Sequence, residues 1–301
     1  MSRLEKPNFY ILGAAKAGTT TLYDVLEKHP QVYMPYDKEP GFFSDEEYYA
    51  RGQEWYLESF FSQASGQPWR GEATSRYLAL AEKVAPRIRQ FHQGERPRFV
   101  VIFRDPVKLV NSFYWHSVRE GRESLPLAQA LEQEESRLAA EGNAMRARGL
   151  VTYAYRQIGN FASQLEGYFA LFPREDFLFF LTEDLADMAM VRQRMADFFG
   201  LDPFGEAAEV VQRNAAALPR MRWLHTFLRG RSMLKDAIKP ILPAKLRFAL
   251  KEKAIASNLQ AFSAPPMEPE LASALRQHYA GEVQRLEEMI GRNLGAWLGE
   301  G

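Results

Sequence analysis

Cysteine is absent from the 301-residue chain, which excludes disulfides, thiolate zinc sites and cysteine nucleophiles. Histidine is sparse. His29, His92, His116, His225 and His278 are far apart, and without an H-E-x-x-H pair no sequence-local metal site is indicated. Net charge is missing too: 38 lysines and arginines balance 38 aspartates and glutamates, so no global field draws the chain to nucleic acid or to a highly sulfated polymer. The apolar run after Arg3, Glu5 and Lys6 stops at Gly13, too short for a signal core or a membrane span, and the expectation is a soluble cytoplasmic protein without a nucleic-acid partner. No internal repeat, low-complexity tract or linker interrupts the chain, and Ala264-Pro265-Pro266 is only a local break. Residues 1–301 therefore read as one domain, long enough to bury a full core.

What the chain does contain is a strand-loop-helix junction near its start. Asn8-Phe9-Tyr10-Ile11-Leu12 reads as a buried strand, Gly13 to Gly18 as a glycine-flanked loop, and Thr19-Thr20-Thr21-Leu22 as the first turn of a helix. Backbone N–H groups at such a helix start have no intrahelical partner and carry the positive end of the helix dipole, so the junction binds phosphate. Lys16 adds a full positive charge. Gly13 and Gly18 have the spacing of a nucleoside triphosphatase loop, G-x-x-x-x-G-K-[ST], but Thr19 stands where the lysine belongs and Lys16 comes three residues early.

Beyond the loop, Leu22, Val25, Leu26 and His29 recur at helical spacing until Pro30. Gln31 to Pro35 fits a short strand, and Lys38-Glu39-Pro40-Gly41-Phe42-Phe43 an irregular segment with two charges ahead of an apolar pair. Tyr48 to Phe61 predicts a helix. Arg98 to Phe103 is a continuous branched and aromatic run, the signature of a strand buried on both faces of a parallel sheet. Asp105 then suits an N-cap and Pro106 a first helical residue, which puts Arg104 at the carboxyl end of the strand and Ser112 about two turns into the next helix. Ile158 to Phe172 predicts a helix, Phe177 to Leu181 a strand, and Glu268 to Trp297 a long helical tail. Alternating helix and strand means an α/β fold.

The loop with Lys16 followed by Gly18-Thr19-Thr20 resembles the 5′-phosphosulfate loop of sulfotransferases that use 3′-phosphoadenosine 5′-phosphosulfate (PAPS). Arg104-Asp105-Pro106 with Ser112 and Tyr114 resembles the 3′-phosphate motif of the same family, R-D-P-x-x-R-x-x-S-x-Y. Its second arginine is Lys108 here, which keeps the charge and loses the bidentate fork. Weaker likeness extends through Gly71-Glu72-Ala73-Thr74 with Tyr77, Phe172-Pro173 to Glu183-Asp184-Leu185, Arg213-Asn214 with Pro219-Arg220, and Gly291-Arg292-Asn293-Leu294 to Trp297. These features are similar to the bacterial and heparan-type branches.

The resemblance implies a P-loop-like, three-layer α/β/α fold with a central parallel sheet. It implies PAPS as co-substrate, 3′-phosphoadenosine 5′-phosphate (PAP) as product and no required metal. The nucleotide would be held by Ala15, Lys16, Ala17, Gly18, Thr19, Thr20, Arg104, Ser112 and Arg220. Lys16 would steady the leaving group, and Glu39, ahead of Phe42-Phe43, would be the base, with His116 the alternative base or acceptor contact. The branch often has a lysine where this chain has Ala73, which alters acceptor binding there. The acceptor could be a small molecule, a carbohydrate or a lipid; the sequence leaves this open, as it does the oligomeric state. Residues 220–253 carry Arg220, Arg222, Arg229, Arg231, Lys235 and further cations interleaved with apolar residues. That pattern fits a packed helical cap, or a lid over the acceptor that touches an anionic membrane. Two alternatives remain: a nucleotide kinase on the same type of loop, and a nucleotide-binding protein without catalysis.

Overall fold

The computed structural model describes residues 5–147, 152–205, 217–219, 259–261 and 264–299. Arg220 and the basic segment 220–253 lie outside them. The central sheet holds β1 (Phe9–Gly13), β2 (Val32–Tyr33), β3 (Trp69–Ala73), β4 (Arg98–Phe103) and β5 (Phe177–Leu181). All its pairs are parallel, in the order β2-β3-β1-β4-β5. A smaller pair, β6 (Ala217–Pro219) and β7 (Leu259–Ala261), runs antiparallel.

Every residue of β1 and β5 is buried, as their uninterrupted apolar sequence requires, because helices cover both faces of the sheet. Alternation along β1 shows the two layers. Phe9 packs at 4.9 Å between ring centroids against Phe199 of a helix spanning Met188–Phe199. The next residue, Tyr10, points the other way, toward His92 on the helix Ala81–His92 and toward Phe43. Phe99 of β4 extends that second layer onto Tyr168, from the helix Phe161–Phe169, and onto Phe172. The result is the three-layer α/β/α arrangement expected from the sequence, and no described helix is long and apolar enough to cross a membrane.

Three elements differ from the sequence reading. The helix expected over Tyr48 to Phe61 is two helices, Glu46–Ala50 and Gly52–Phe61. Ile158 to Phe172 opens with a 3-10 turn, Gln157–Gly159, before the α-helix begins at Phe161. The tail helix is Pro269–Ile290, ended by Gly291 in the left-handed region, with a separate short turn Gly295–Leu298. β3 was not legible at all. Its Arg70-Gly71-Glu72 core is polar, yet it lies between β2 and β1. Glu72 is fully buried there, accepting hydrogen bonds from Tyr56 and, at 2.7 Å, from Thr74. Burial pushes its carboxyl above the usual range and those donors pull it back.

One buried base sets an acid limit on the fold. His92 is 2% exposed, shares a 2.9 Å hydrogen bond with Tyr10 Oη, and has its pKa lowered by burial from 6.5 to about 4. A base with a depressed folded pKa binds fewer protons folded than unfolded, so its contribution is intact above pH 6.5 and lost as pH falls toward 4. The loss is on the order of 3 kcal/mol. Denaturant titrations from pH 7 to 4 should show this slope, and His92→Gln should flatten it; an unchanged slope would remove His92 from the acid response.

Candidate active site

The crevice at the carboxyl ends of β1 and β4 is where the strand order reverses: from β1 the chain goes to the edge strand β2 and returns to β3 on one side, and then crosses to β4 and β5 on the other. Ligands of open α/β sheets bind at such a point. Both sequence motifs arrive there. Residues 14–18 follow β1 and lead into α1 (Thr19–Glu27), whose N-terminus has no side-chain cap. After β4, Asp105 caps α2 (Pro106–Arg119) by accepting from the N–H groups of Val107 and Lys108.

The loop is braced from three sides. Ala14 N–H donates to Ile102 O at 2.7 Å, Thr182 Oγ1 lies 2.7 Å from Ala17 O and 3.1 Å from Phe103 O, and Arg104 Nη1 donates to Lys16 O at 2.9 Å. Gly18 must be glycine: its φ is +119°, and a Cβ would stand 2.5 Å from Leu185 Cδ1. Lys16 is itself left-handed, with φ +67°, and local strain of this kind, about 1–3 kcal/mol, is held where surrounding contacts over-determine the backbone. Burial lowers the Lys16 pKa, and the charges of Arg119 and Arg104 lower it further against Glu120 and Glu39. An anion at this point would relieve that repulsion.

Glu39 comes to the same crevice from the β2 side. Its N–H donates to Ala73 O at 3.2 Å and its φ is +61°. The carboxylate accepts from Ser75 Oγ at 2.6 Å and from Arg76 Nη1 at 3.2 Å. Arg76 crosses directly over Gly41, whose φ is +70° and where any Cβ would collide with the guanidinium, and continues to Ser44 Oγ at 3.1 Å. Phe42 and Phe43 anchor the segment; both are buried, and Phe42 stacks on Tyr56 at 4.4 Å. The paired phenylalanines are thus a mooring for the glutamate rather than part of the chemistry.

Arg104 and Ser112 are half-buried on the β4 side, whereas Lys108 is exposed and 3.7 Å from Asp105. His116 is further along α2, its Nδ1 2.6 Å from Arg119 Nη2 and its Nε2 3.2 Å from Arg122 Nη2. A neutral imidazole has one acceptor nitrogen, so it can accept from only one of the two guanidinium groups at a time. The structure therefore brings Ala15 to Thr20, Arg104 and Glu39 around one crevice, with the charge of Arg119 acting on Lys16; Arg220 lies outside the described residues. Sequence reasoning missed Lys38, Ser75, Arg76, Arg119 and Thr182. Only Lys38, adjacent to Glu39, had a local signal; Ser75 and Arg76 depend on β3 lying beside β1, Thr182 on the turn after β5, and Arg119 on the last turn of α2 lying near the loop.

A family described as sulfotransferase domain matches residues 6–221. A membrane-associated sulfotransferase of Dictyostelium discoideum, kil1, is 35% identical over 130 residues, covering 42% of this chain and 26% of that protein. The heparan sulfate glucosamine 3-O-sulfotransferase 3B1 of Mus musculus is 30% identical over 198 residues, covering 65% and 46% respectively. The chain thus spans about a quarter to a half of the length of these relatives. A solved sulfotransferase from Alicyclobacillus acidocaldarius superposes with a TM-score of 0.68 at 26% identity, over 97% of this chain and 99% of that one.

Proposed function

Because the chain belongs to the sulfotransferase family, we propose that it moves a sulfuryl group from PAPS to a hydroxyl or amine of a carbohydrate or small-molecule acceptor. The observation that carries this reading is the meeting of its two phosphate motifs: Arg104, at the end of β4, donates at 2.9 Å to the backbone of Lys16 in the loop after β1. The residues fit the nucleotide. The loop's tight turn at Gly18 is backed by Leu185, and Lys16, Thr19, Thr20, Arg104 and Ser112 are all donors suited to phosphate oxygens. When bound, PAPS supplies the activated sulfuryl group.

In the transfer, the acceptor oxygen or nitrogen bonds to sulfur as the bond from sulfur to the bridging oxygen breaks, leaving an electron pair on the phosphate. Lys16 holds its ammonium where that charge grows. Glu39 takes the acceptor proton. Its Ser75 and Arg76 contacts orient the carboxylate, which supports Glu39 as the base. The relative named for heparan sulfate supports a carbohydrate acceptor. Residues 1–301 act as one catalytic unit in this reading.

Titration calorimetry with PAP tests the donor site: saturable binding without magnesium is expected, and magnesium-dependent ATP binding with no PAP binding would instead support a kinase. Arg104→Ala should weaken PAP binding by roughly ten- to a hundredfold, through loss of a charge-assisted contact to the 3′-phosphate. Adenosine 5′-phosphate should lose much less. Equal losses for the two ligands would leave Arg104 only its bond to Lys16 O.

A further inference from the structure

Lys38 is half-buried on the segment between β2 and β3, next to Glu39 and outside both phosphate motifs. Its ammonium donates to Oγ1 of Thr20, the second residue of α1, and lies 5.7 Å from the centre of the Tyr23 ring. Both partners are uncharged. Burial lowers its pKa, with Glu39 and Asp24 acting through space in the opposite direction. A lysine ammonium has three N–H donors, and the hydroxyl takes one of them. The chain thus holds a partly desolvated cation at the phosphate loop, on the side of β3, opposite the side from which Arg104 approaches across β4.

The bond also fixes what Thr20 can do. A threonine hydroxyl has one proton and two lone pairs. Since its oxygen accepts from Lys38, the proton is left to donate, and at the start of α1 an anion seated on the loop can accept it. Lys38 and that anion would share Thr20, placing the ammonium one hydroxyl away from the anion, where its charge acts on it directly.

We propose that Lys38 is a second cation of the donor site, holding with Thr20 the 5′-phosphate of the nucleotide across the loop from Lys16. This rests on the PAPS reading of the site. It identifies the charge pattern the ligand must carry: an anionic group at the 5′ position, gripped from the β3 side by Lys38 and from within the loop by Lys16, and a 3′-phosphate on the β4 side. It also explains why Lys38 and Glu39 are adjacent. One short segment supplies both a donor-site cation and the proposed base, so a bound nucleotide that holds Lys38 also steadies Glu39 beside the reacting group.

The test compares PAP with adenosine 3′-phosphate, which lacks the 5′ group, by titration calorimetry on the full chain. Lys38→Met, which keeps the length and removes the charge, should weaken PAP binding by roughly ten- to a hundredfold, with adenosine 3′-phosphate changed by no more than about twofold. Lys38→Arg should restore most of the PAP affinity. Equal losses for both ligands would show that Lys38 only supports the fold of the segment and would overturn the proposal, as would an unchanged PAP affinity in Lys38→Met. Wild-type protein that binds neither ligand would overturn the PAPS reading and this proposal together, whereas wild-type PAP binding with an indifferent Lys38 removes this proposal alone.

Discussion

Lys16→Ala should lower single-turnover sulfuryl transfer by about a thousandfold or more, equivalent to about 4 kcal/mol of transition-state stabilisation. PAP affinity should fall far less, because a charge placed against a bridging oxygen matters most as that oxygen gains its electron pair. The structure gives the argument its sign. Burial and the charges of Arg119 and Arg104 disfavour the Lys16 ammonium, so the site is organised to be completed by negative charge. With rising pH, Lys16 and Lys38 should lose their protons below the 10.5 of an unperturbed lysine. PAP affinity should therefore decline on the alkaline side before a free lysine would titrate. Near-normal turnover in Lys16→Ala would remove the residue from the mechanism.

Glu39→Gln should reduce turnover on the order of a hundredfold or more while PAPS affinity stays largely intact, since the shape persists and the proton acceptor is lost. The substituted side chain would still accept from Ser75 or Arg76 through its amide oxygen, so the segment should keep its place. His116→Ala is the control. Its ring is flanked by Arg119 and Arg122, and its removal should leave the acidic limb of the rate profile where it was. If His116→Ala abolishes turnover and Glu39→Gln barely changes it, the two assignments exchange.

The phosphate loop, β4 and the helix after it were legible because their signals are local. A buried strand, a turn and a helix start follow one another within a short stretch around Gly18 and again around Asp105. The bounds of β4, Arg98–Phe103, agree with the apolar run. β3 was not legible for the opposite reason. Glu72 is polar in sequence and buried in space, and what makes that tolerable is the hydroxyl of Thr74, two residues on, together with that of Tyr56, which only the assembled fold brings to it.

The same cause hid the environment of Glu39. Ser75 and Arg76 follow β3, and their bonds to Glu39 span 36 and 37 residues of sequence. Without β3 placed beside β1, nothing indicates that they converge on the segment carrying Glu39. The helix break before Gly52 was missed because Tyr48 to Phe61 keeps its aromatic density across it, although Gly52 has a φ of +83° that an α-helix does not use.

The most direct measurement incubates the protein with PAPS labelled in its sulfur, together with cell extracts fractionated by polarity. The account predicts that label leaves the nucleotide for one acceptor fraction, that PAP forms in equal amount, and that Lys16→Ala stops both. Label that stays on the nucleotide in every fraction, with phosphate from ATP transferred in a magnesium-dependent reaction, would contradict it.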